Sequence, residues 1–225
     1  MLRTENRELR TPKTPLLLGH RGARACRHIP ENTLASFELC LEQGCDGFEF
    51  DVRRSADGQA VVCHDPTVGG IEIENAEAKN LSLPGLEDVL RQFAHRAFLD
   101  IEFMIAGLEA QTLAELRKHP PQKGYVVSSF LPEVLGAIRH LDPAIPLGFL
   151  CETRRHLAGW RENPTEWVIP QFDLADQELI ELVHAAGKRI MVWTVNRAVR
   201  MREFAEWSVD AIVSDETELL VRSLR

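Results

Sequence analysis

Residues 47–66, GFEFDVRRSADGQAVVCHDP, contain the pattern from which both the fold and the chemistry can be argued. The first half of this segment alternates between two faces, as the side chains of a β-strand do. One face is apolar and consists of Phe48, Phe50 and Val52, and the other is charged and consists of Glu49, Asp51 and Arg53. Buried carboxylates are costly unless they are paired or bound to a metal ion. The pattern therefore predicts that Glu49 and Asp51 have a partner or a chemical task.

The second half of the same segment predicts a hairpin. Ala-Asp-Gly at 56–58 is a turn signal, and QAVVCH at 59–64 is predicted to return as a strand beside the first one. The returning strand ends on His64 and Asp65. Asp65 either orients His64 or caps the turn that follows, and the sequence leaves both interpretations open.

Short apolar runs and amphipathic segments alternate along the rest of the chain. Strands are predicted at residues 15–20, 47–53, 97–103, 125–129, 145–150, 167–172, 189–195 and 210–214. Helices are predicted at residues 33–43, 85–95, 107–118, 132–141, 154–161, 174–186, 198–206 and 216–223. Eight strand–helix units in 225 residues predict an α/β fold, a (β/α)8 TIM barrel with a small hairpin insertion after the second strand. A doubly wound open sheet is the main alternative, but no glycine-rich phosphate motif follows the first strand.

The chain length suits one barrel domain. Residues 15–225 are assigned to this domain and residues 1–14 to a flexible N-terminal tail. Two helix starts have candidate caps in the sequence. Asn32 or Thr33 is expected to cap the first helix, and Asn196 the helix that follows the seventh barrel strand.

The composition argues against several classes of protein. The formal net charge is −8 and the pI is about 5.5, which disfavours a nucleic-acid-binding surface. The five cysteines show no CxxC spacing, so neither a disulfide framework nor a zinc site is expected. The N-terminus is too polar for a signal peptide and no apolar run is long enough for a membrane span. A cytoplasmic protein is therefore expected.

A barrel would bring several polar residues of this chain together. The apolar face of the second strand should pack against the helices, which sends Glu49 and Asp51 into the lumen. Barrel active sites lie at the C-terminal ends of the strands. The polar residues expected at that end are His20, Arg21, Asp51, Arg53 and Glu102.

These side chains are suited to phosphodiester cleavage. Three carboxylates supply the oxygen ligands that Mg²⁺ or Ca²⁺ prefers, namely Glu49, Asp51 and Glu102. His20 and His64 can exchange protons near neutral pH, so one can accept a proton and the other donate one. The fork of donors on Arg21 suits a phosphate. A cation, an arginine and two histidines together provide charge neutralisation and proton transfer.

Four motifs, in their order and spacing, make a specific signal. They are GHRG at 19–22, PENT at 30–33, FEFDV at 48–52 and CHDPT at 63–67. Together with weaker blocks such as VWTVN at 192–196, they resemble the glycerophosphodiester phosphodiesterase family. The resemblance covers nearly the whole chain from residue 16. It implies a TIM-barrel hydrolase that uses Mg²⁺ or Ca²⁺ and cleaves small-molecule glycerophosphodiesters to an alcohol and glycerol 3-phosphate.

The resemblance also implies residue roles. His20 and His64 match the acid–base pair of the family, and analogy with related barrel phospholipases makes His20 the general base and His64 the general acid. Arg21 matches the phosphate-contacting arginine, and Trp193 falls where an aromatic side chain lines the pocket. The implied metal ligands are Glu49, Asp51 and Glu102.

Position 104 departs from the family pattern. Members usually carry a lysine two residues after the third metal carboxylate, and this chain has Met104 there. A missing cation at a phosphate site costs roughly 2–4 kcal/mol in the transition state. Arg53, on the same strand face as Asp51, is expected to compensate and is assigned to substrate binding.

The segment between Pro66 and Pro84 is shorter than the insertion that the family usually has at this place. A short cover predicts a more open substrate mouth or a different head group. The acidic residues of the segment, Glu72, Glu74 and Glu77, either select a cationic alcohol such as choline or are simply solvated. Solvated loop charge is the preferred interpretation.

Two other functions stay open at this point. A lysophospholipase D-type activity would follow if the mouth of the barrel were apolar. A weakened barrel that only binds phosphate ligands would follow if Met104 had removed efficient catalysis. The sequence leaves the head group, the preferred ion and homo-oligomerisation undetermined.

Overall fold

The computed structural model describes residues 14–225, so the predicted tail lies outside the described residues except for Thr14. The described residues form eleven strands: β1 (Leu16–Gly19), β2 (Gly47–Arg54), β3 (Ala60–Val62), β4 (Thr67–Val68), β5 (Ile71–Glu72), β6 (Phe98–Phe103), β7 (Tyr125–Ser129), β8 (Leu147–Cys151), β9 (Trp167–Pro170), β10 (Arg189–Val192) and β11 (Ala211–Ser214). They also form eight α-helices: α1 (Leu34–Glu42), α2 (Leu86–Phe93), α3 (Glu109–Lys118), α4 (Pro132–Leu141), α5 (Arg154–Ala158), α6 (Gln177–Ala185), α7 (Ala198–Glu206) and α8 (Thr217–Leu224).

Eight of the strands close into a parallel barrel. Their order around the barrel is β1, β2, β6, β7, β8, β9, β10 and β11. Strand β1 pairs in parallel with both neighbours, with Leu18 opposite Gly47 on β2 and Leu16 opposite Ala211 on β11. Because β1 joins the two edges, the open sheet is excluded and the predicted TIM barrel is confirmed. No helix within residues 14–225 has the length and apolar character needed to cross a bilayer.

The helices differ most from the prediction at α5 and α6. Helix α5 ends at Ala158, three residues earlier than expected, because Gly159 forms its C-cap. Helix α6 begins at Gln177 rather than at 174, because residues 172–174 form a 3₁₀ turn instead. Asp176 then caps α6 by accepting a hydrogen bond from the backbone N–H of Leu179 at 2.8 Å.

The apolar face of β2 packs against the helix layer, as its alternation predicts. Phe48 stacks on Phe37 of α1 with the ring centroids 4.2 Å apart, and it meets Phe93 of α2 edge to face at 5.1 Å. Phe50 joins the same cluster, and all four rings are buried. Burying these aromatic rings fixes the rotation of β2 and therefore sends its acidic face into the lumen.

The barrel lumen is a second, separate apolar core. It is filled by Leu18, Phe98, Val126, Leu150, Trp167, Ile169, Met191, Ala211 and Val213. These side chains come from alternate positions of the barrel strands and leave no room for a channel. The acidic residues of β2 and β6 lie on the same lumen-facing sides of their strands, nearer the C-terminal ends. They therefore meet next to this apolar core.

The insertion after β2 begins with the predicted hairpin. Strand β3 runs antiparallel to β2, with Val62 opposite Val52. Beyond it, β4 and β5, which have two residues each, form a second hairpin. Two 3₁₀ turns follow. The insertion has its own small core of Val61, Ile73 and Leu81.

Candidate active site

The lumen faces of β2 and β6 bring the three predicted metal ligands together. The two strands pair in parallel with Asp51 opposite Glu102 and Glu49 opposite Asp100. Glu49, Asp51 and Glu102 each place one carboxylate oxygen within 4.8 Å of those of the other two. Residues that are far apart in the sequence thus form one cluster of carboxylates.

The electrostatics of this cluster fit a divalent cation. Burial, together with the negative charge of Asp51, raises the pKa of Glu49 and the pKa of Glu102 well above the usual range for a glutamate. The Oε1 atom of Glu49 is buried and has no hydrogen-bond partner among the described residues. A bound cation would contact this atom and would offset the repulsion between the three carboxylates. Carboxylate oxygens are the ligands that Mg²⁺ and Ca²⁺ favour.

A fourth acid, Asp100, lies beside the cluster and is missing from the sequence-based set. It is buried, and its Oδ1 accepts a hydrogen bond from the Ser128 hydroxyl at 2.6 Å. Burial is the main reason that its pKa is raised, to about 7. The signal was present in the sequence, because Asp100 precedes Glu102 by two positions and so shares its strand face.

His20 follows β1 and is held by a carboxylate. Its Nδ1 lies 2.7 Å from Oδ1 of Asp215, and its Nε2 lies 3.9 Å from Oε2 of Glu49. Burial opposes ionisation of Asp215, but the hydrogen bonds from His20 and Asn196 and the charges of His20 and Arg24 outweigh it and lower its pKa to about 2. A carboxylate can only accept at this contact, so Nδ1 of His20 carries the proton. Nε2 is therefore the ring nitrogen that can exchange a proton beside the acids.

Asp215 is itself fixed by Asn196, and here the sequence-based interpretation is wrong. The side-chain amide of Asn196 donates to Oδ2 of Asp215 at 2.6 Å, and its Oδ1 accepts from the backbone N–H of Asp215 at 2.9 Å. The N-cap of α7 is Arg197, not Asn196. The loops that follow β10 and β11 are neighbours at the mouth of the barrel. The Asn196 side chain therefore bonds to Asp215 instead of capping α7.

Arg21 lies next to His20 in a strained backbone conformation, with a φ of +52°. This conformation lets its backbone N–H donate to Oε2 of Glu49 at 2.9 Å. Its guanidinium donates to Glu31 at 2.6 Å, and its Nε lies 3.2 Å from Oδ2 of Asp51. Burial alone would lower the pKa of Arg21, but the charges of Asp51 and the other acids raise it. The side chain is thus a fixed cation at the rim of the acidic cluster.

The two cap candidates before α1 have different tasks. Thr33 is the N-cap, and its hydroxyl accepts from the backbone N–H of Ser36 at 3.2 Å. Asn32 donates instead to Oδ2 of Asp51 at 2.7 Å. It therefore orients one of the carboxylates of the cluster, a role that its position before a helix had hidden.

His64 lies on the insertion, at the end of the returning strand. Its side chain is 37% exposed, and its Nδ1 lies 2.8 Å from Oδ1 of Asp65. Asp65 therefore contacts His64 and can orient it, which favours this role over capping of the following turn. Arg53 donates from Nε to the backbone carbonyl of His64 at 2.6 Å and so ties this segment to the end of β2.

Arg53 on β2 and Met104, the residue that follows β6, occupy neighbouring positions. Val52 pairs with Phe103, and the backbone N–H of Met104 donates to the carbonyl of Val52 at 3.3 Å. Arg53 lies on the lumen face of β2, where its charge counteracts the rise in the pKa of Glu102. The cation at the end of the β2–β6 pair thus comes from β2.

Trp193 lies at the end of β10, in the wall formed by the later strands. Its indole N–H donates to the carbonyl of Ile169 at 3.0 Å, and its ring packs edge to face on Phe130 at 5.7 Å. Because its single donor is already used, Trp193 can offer a ligand only its ring.

Comparison with known proteins identifies the family. The family model of the glycerophosphoryl diester phosphodiesterase family matches residues 20–117 and 94–219. A glycerophosphodiester phosphodiesterase of Caldanaerobacter subterraneus subsp. tengcongensis is 26% identical over 241 residues, which cover 93% of this chain and 98% of that protein.

Solved structures share the fold. A putative glycerophosphoryl diester phosphodiesterase of Silicibacter pomeroyi has a TM-score of 0.83 at 23% identity, covering 95% of this chain and 94% of its own. A phosphodiesterase of Oleispira antarctica, solved with the product sn-glycerol-3-phosphate, has a TM-score of 0.81 at 24% identity and covers 93% of this chain and 96% of its own. The resemblance of the motifs is confirmed, and the chain belongs to the glycerophosphoryl diester phosphodiesterase family, enzymes that hydrolyse glycerophosphodiesters.

Proposed function

We propose that this chain is a metal-dependent phosphodiesterase that hydrolyses glycerophosphodiesters to an alcohol and glycerol 3-phosphate. One observation carries the proposal. Glu49 and Asp51, which are buried, and Glu102, which is half-buried, each place one carboxylate oxygen within 4.8 Å of the other two, beside the His20–Asp215 pair. The product found in the Oleispira antarctica relative supports the substrate class.

Glu49, Asp51 and Glu102 would hold the cation. When bound there, Mg²⁺ or Ca²⁺ would supply charge neutralisation for the phosphate and its attacking group. The backbone N–H of Arg21 and the side chain of Asn32 already hold Glu49 and Asp51 in place, at 2.9 and 2.7 Å. This support matters because loosely held ligands lose geometry and affinity.

His20 acts as the general base in this proposal. Its Nδ1 proton is committed to Asp215, so Nε2 accepts a proton from the group that attacks phosphorus, and Asp215 stabilises the imidazolium that forms. That group is water, or a substrate hydroxyl whose cyclic phosphate water then opens to glycerol 3-phosphate. His64 acts as the general acid and donates a proton to the departing alcohol oxygen. Proton transfers of this kind contribute about 10²–10⁴ each in rate.

Arg21 and Arg53 provide the fixed positive charge. The Arg21 guanidinium uses Nη1 for Glu31 and places Nε 3.2 Å from Asp51, which leaves Nη2 to donate to a phosphate oxygen. Arg53 replaces the missing lysine, because it lies near the end of β2 beside Met104, the residue that follows β6. Its Nε is used by the His64 carbonyl, so its terminal nitrogens remain for the substrate.

A second candidate function follows from Met104. If Arg53 does not replace the lysine, the barrel binds glycerol phosphate but turns over slowly. Turnover of glycerophosphocholine and of lysophosphatidylcholine, each with Mg²⁺ and with Ca²⁺, tests both functions. Metal-dependent release of glycerol 3-phosphate, lost in His20→Ala and in His64→Ala, supports the proposal. Binding of glycerol phosphate without turnover supports the second candidate, and preference for the acylated substrate indicates a lysophospholipase D-type enzyme.

A further inference from the structure

Arg24, in the loop between β1 and α1, contacts the carboxylate that holds the proposed general base. Its Nη1 donates to Oδ1 of Asp215 at 3.2 Å, and the same oxygen lies 2.7 Å from Nδ1 of His20. The other oxygen of this carboxylate, Oδ2, accepts from the side chain of Asn196 at 2.6 Å. The two oxygens are thus held separately, and Arg24 holds the one that contacts the base.

Arg24 is itself held by Glu31. Its Nε donates to Oε2 of Glu31, whose Oε1 accepts from Nη1 of Arg21 at 2.6 Å. Burial would raise the pKa of Glu31, but the hydrogen bonds and charges of the two arginines lower it. Side chains of alternating charge therefore form a row from Arg21 through Glu31 and Arg24 to Asp215. This row connects the proposed phosphate-binding arginine with the carboxylate beside the base.

A cavity of about 420 Å³ reaches this carboxylate. Arg24, Glu31 and Asp215 are among the residues that line it. The side chain of Arg24 is 39% exposed and that of Asp215 is 19% exposed. Water that enters such a cavity competes for a carboxylate oxygen, whereas a guanidinium makes a stronger, charge-assisted hydrogen bond to it. Without Arg24, Oδ1 of Asp215 would be open to this competition, and its contact with His20 would loosen.

The backbone of the loop is attached independently of the Arg24 side chain. The backbone N–H of Ala25 donates to the backbone carbonyl of Asp215 at 3.2 Å. The backbone N–H of Asn32 donates to the carbonyl of Arg21 at 3.1 Å, near the other end of the loop. A change confined to the Arg24 side chain should therefore preserve the fold and remove only its hydrogen bonds to the two acids.

We propose that Arg24 is a positioning residue that fixes the carboxylate of Asp215 against His20. The inference rests on the proposed function, because it takes His20 as the general base. It assigns Arg24 no contact with the substrate. Loss of Arg24 should therefore slow the proton transfer and leave substrate binding nearly unchanged.

The kinetics of glycerophosphocholine hydrolysis test this role. Arg24→Gln should lower kcat by about three- to tenfold with little change in KM, because it removes a charge-assisted hydrogen bond that solvent partly weakens. Arg24→Lys keeps the positive charge and should recover part of the loss. Arg27→Gln, which changes an exposed arginine of the same loop, is the matched control and should have the kcat of wild type.

An Asp215→Asn background separates positioning from a general effect on the structure. If Arg24 acts through Asp215, Arg24→Gln should change kcat by less than about twofold in this background. An equal loss of kcat in both backgrounds would overturn the inference. An unchanged kcat in the single Arg24→Gln variant, or a loss that appears in KM alone, would also overturn it.

A measurement without turnover separates this inference from the proposed function. NMR at a single pH follows the exchange of the Nδ1 proton of His20 with water, and His20→Ala identifies its signal. Exchange should be about three- to tenfold faster in Arg24→Gln than in wild type or Arg27→Gln, because the bond to Asp215 opens more often. This result supports the positioning role even if wild type hydrolyses no glycerophosphodiester, in which case only the proposed function fails. Equal exchange in wild type and Arg24→Gln would overturn the role of Arg24 and leave the proposed function standing.

Discussion

At the scale of single residues, the partner of each polar side chain sets its chemistry. Two histidine–aspartate pairs in the chain show this. His20 meets Asp215 at 2.7 Å and has its other nitrogen near Glu49, whereas His184 meets Asp210 at 2.8 Å between α6 and the start of β11. The contact is the same, but only the first pair faces the acidic cluster.

Asp215→Asn should lower kcat by about tenfold or more. Without the carboxylate, Nδ1 of His20 loses its fixed proton, and part of the general-base contribution of about 10²–10⁴ is lost. Steady-state kinetics across pH would show a shift of the acidic limb, which the general base sets, and a KM that changes little. Asp210→Asn is the control, since it removes the same contact from His184. A kcat equal to that of wild type would mean that Asp215 does not position the base.

The lowered pKa of Asp215 makes the stability of the fold depend on pH. The pKa of Asp215 is about 2 in the folded protein and about 3.9 in an unfolded chain. Its ionised form therefore stabilises the fold above about pH 4, and this contribution is lost as pH falls toward about 2. Between those limits wild type should lose about 1 kcal/mol more unfolding free energy than Asp215→Asn, after allowance for solvent screening. Urea titrations of both proteins at the two pH values measure this difference. Equal losses of unfolding free energy in wild type and Asp215→Asn would contradict the prediction.

At the scale of elements, the pairing of β2 with β6 sets the charge of the site. The register that puts Asp51 opposite Glu102 also puts Arg53 beside Met104. A cation can therefore be supplied from either strand at nearly the same place.

Arg53→Ala should reduce kcat/KM by about thirtyfold to a thousandfold, because one fixed charge at the phosphate is removed. Met104→Lys should recover part of this loss in the Arg53→Ala background and add little to wild type. Arg91→Ala, an exposed arginine of α2 paired with Asp88, is the control. If Arg53→Ala retains full activity, Arg53 is not the replacement for the lysine.

The aromatic cluster behind β2 supports the same strand from the helix side. Phe48→Ala should lower the free energy of unfolding by about 3–5 kcal/mol, because Phe48 is fully buried against Phe37 and Phe93. Chemical denaturation measures this loss. Leu182→Ala, with the leucine 42% exposed, should cost less than about 0.5 kcal/mol. A loss at Phe48 no larger than that at Leu182 would show that the cluster does not hold the strand.

At the scale of the whole molecule, periodicity predicted the eight strand–helix units, and the lack of a glycine-rich motif after the first strand favoured the barrel over an open sheet. The eight apolar runs became the eight barrel strands, with the largest difference at the end of β10, which stops at Val192 rather than 195. The alternation on β2 also predicted which face of the strand points inward. These features are local, since they depend on spacing within a few residues.

The remainder of the site depends on contacts between distant parts of the chain. Asn32 and Asn196 both precede helices, so a capping role was the natural expectation, yet both hydrogen-bond to carboxylates of the barrel. Asp215 meets His20 across 195 positions. Spacing along the sequence gives no information on such pairs, because closure of the barrel creates them.

The account as a whole depends on the binding of a cation by Glu49, Asp51 and Glu102. Asp51 holds the central position, since its carboxylate also accepts from Asn32. The described residues contain one other group of potential ligands, Glu87 on α2, Glu115 on α3 and His119 at the C-cap of α3. Lys118 already pairs with Glu87 there. A substitution in this second group therefore tests whether a cation binds there instead of at the barrel mouth.

Isothermal titration of Mg²⁺ or Ca²⁺ into chelator-treated protein is the most direct test. We expect a single uptake event in wild type and in Glu115→Gln, absent in Asp51→Asn, with a gain in unfolding free energy of about 2.7 kcal/mol at a free ion concentration of about 100 Kd. No uptake in wild type, or equal uptake in Asp51→Asn, would contradict the metal site and with it the proposed mechanism.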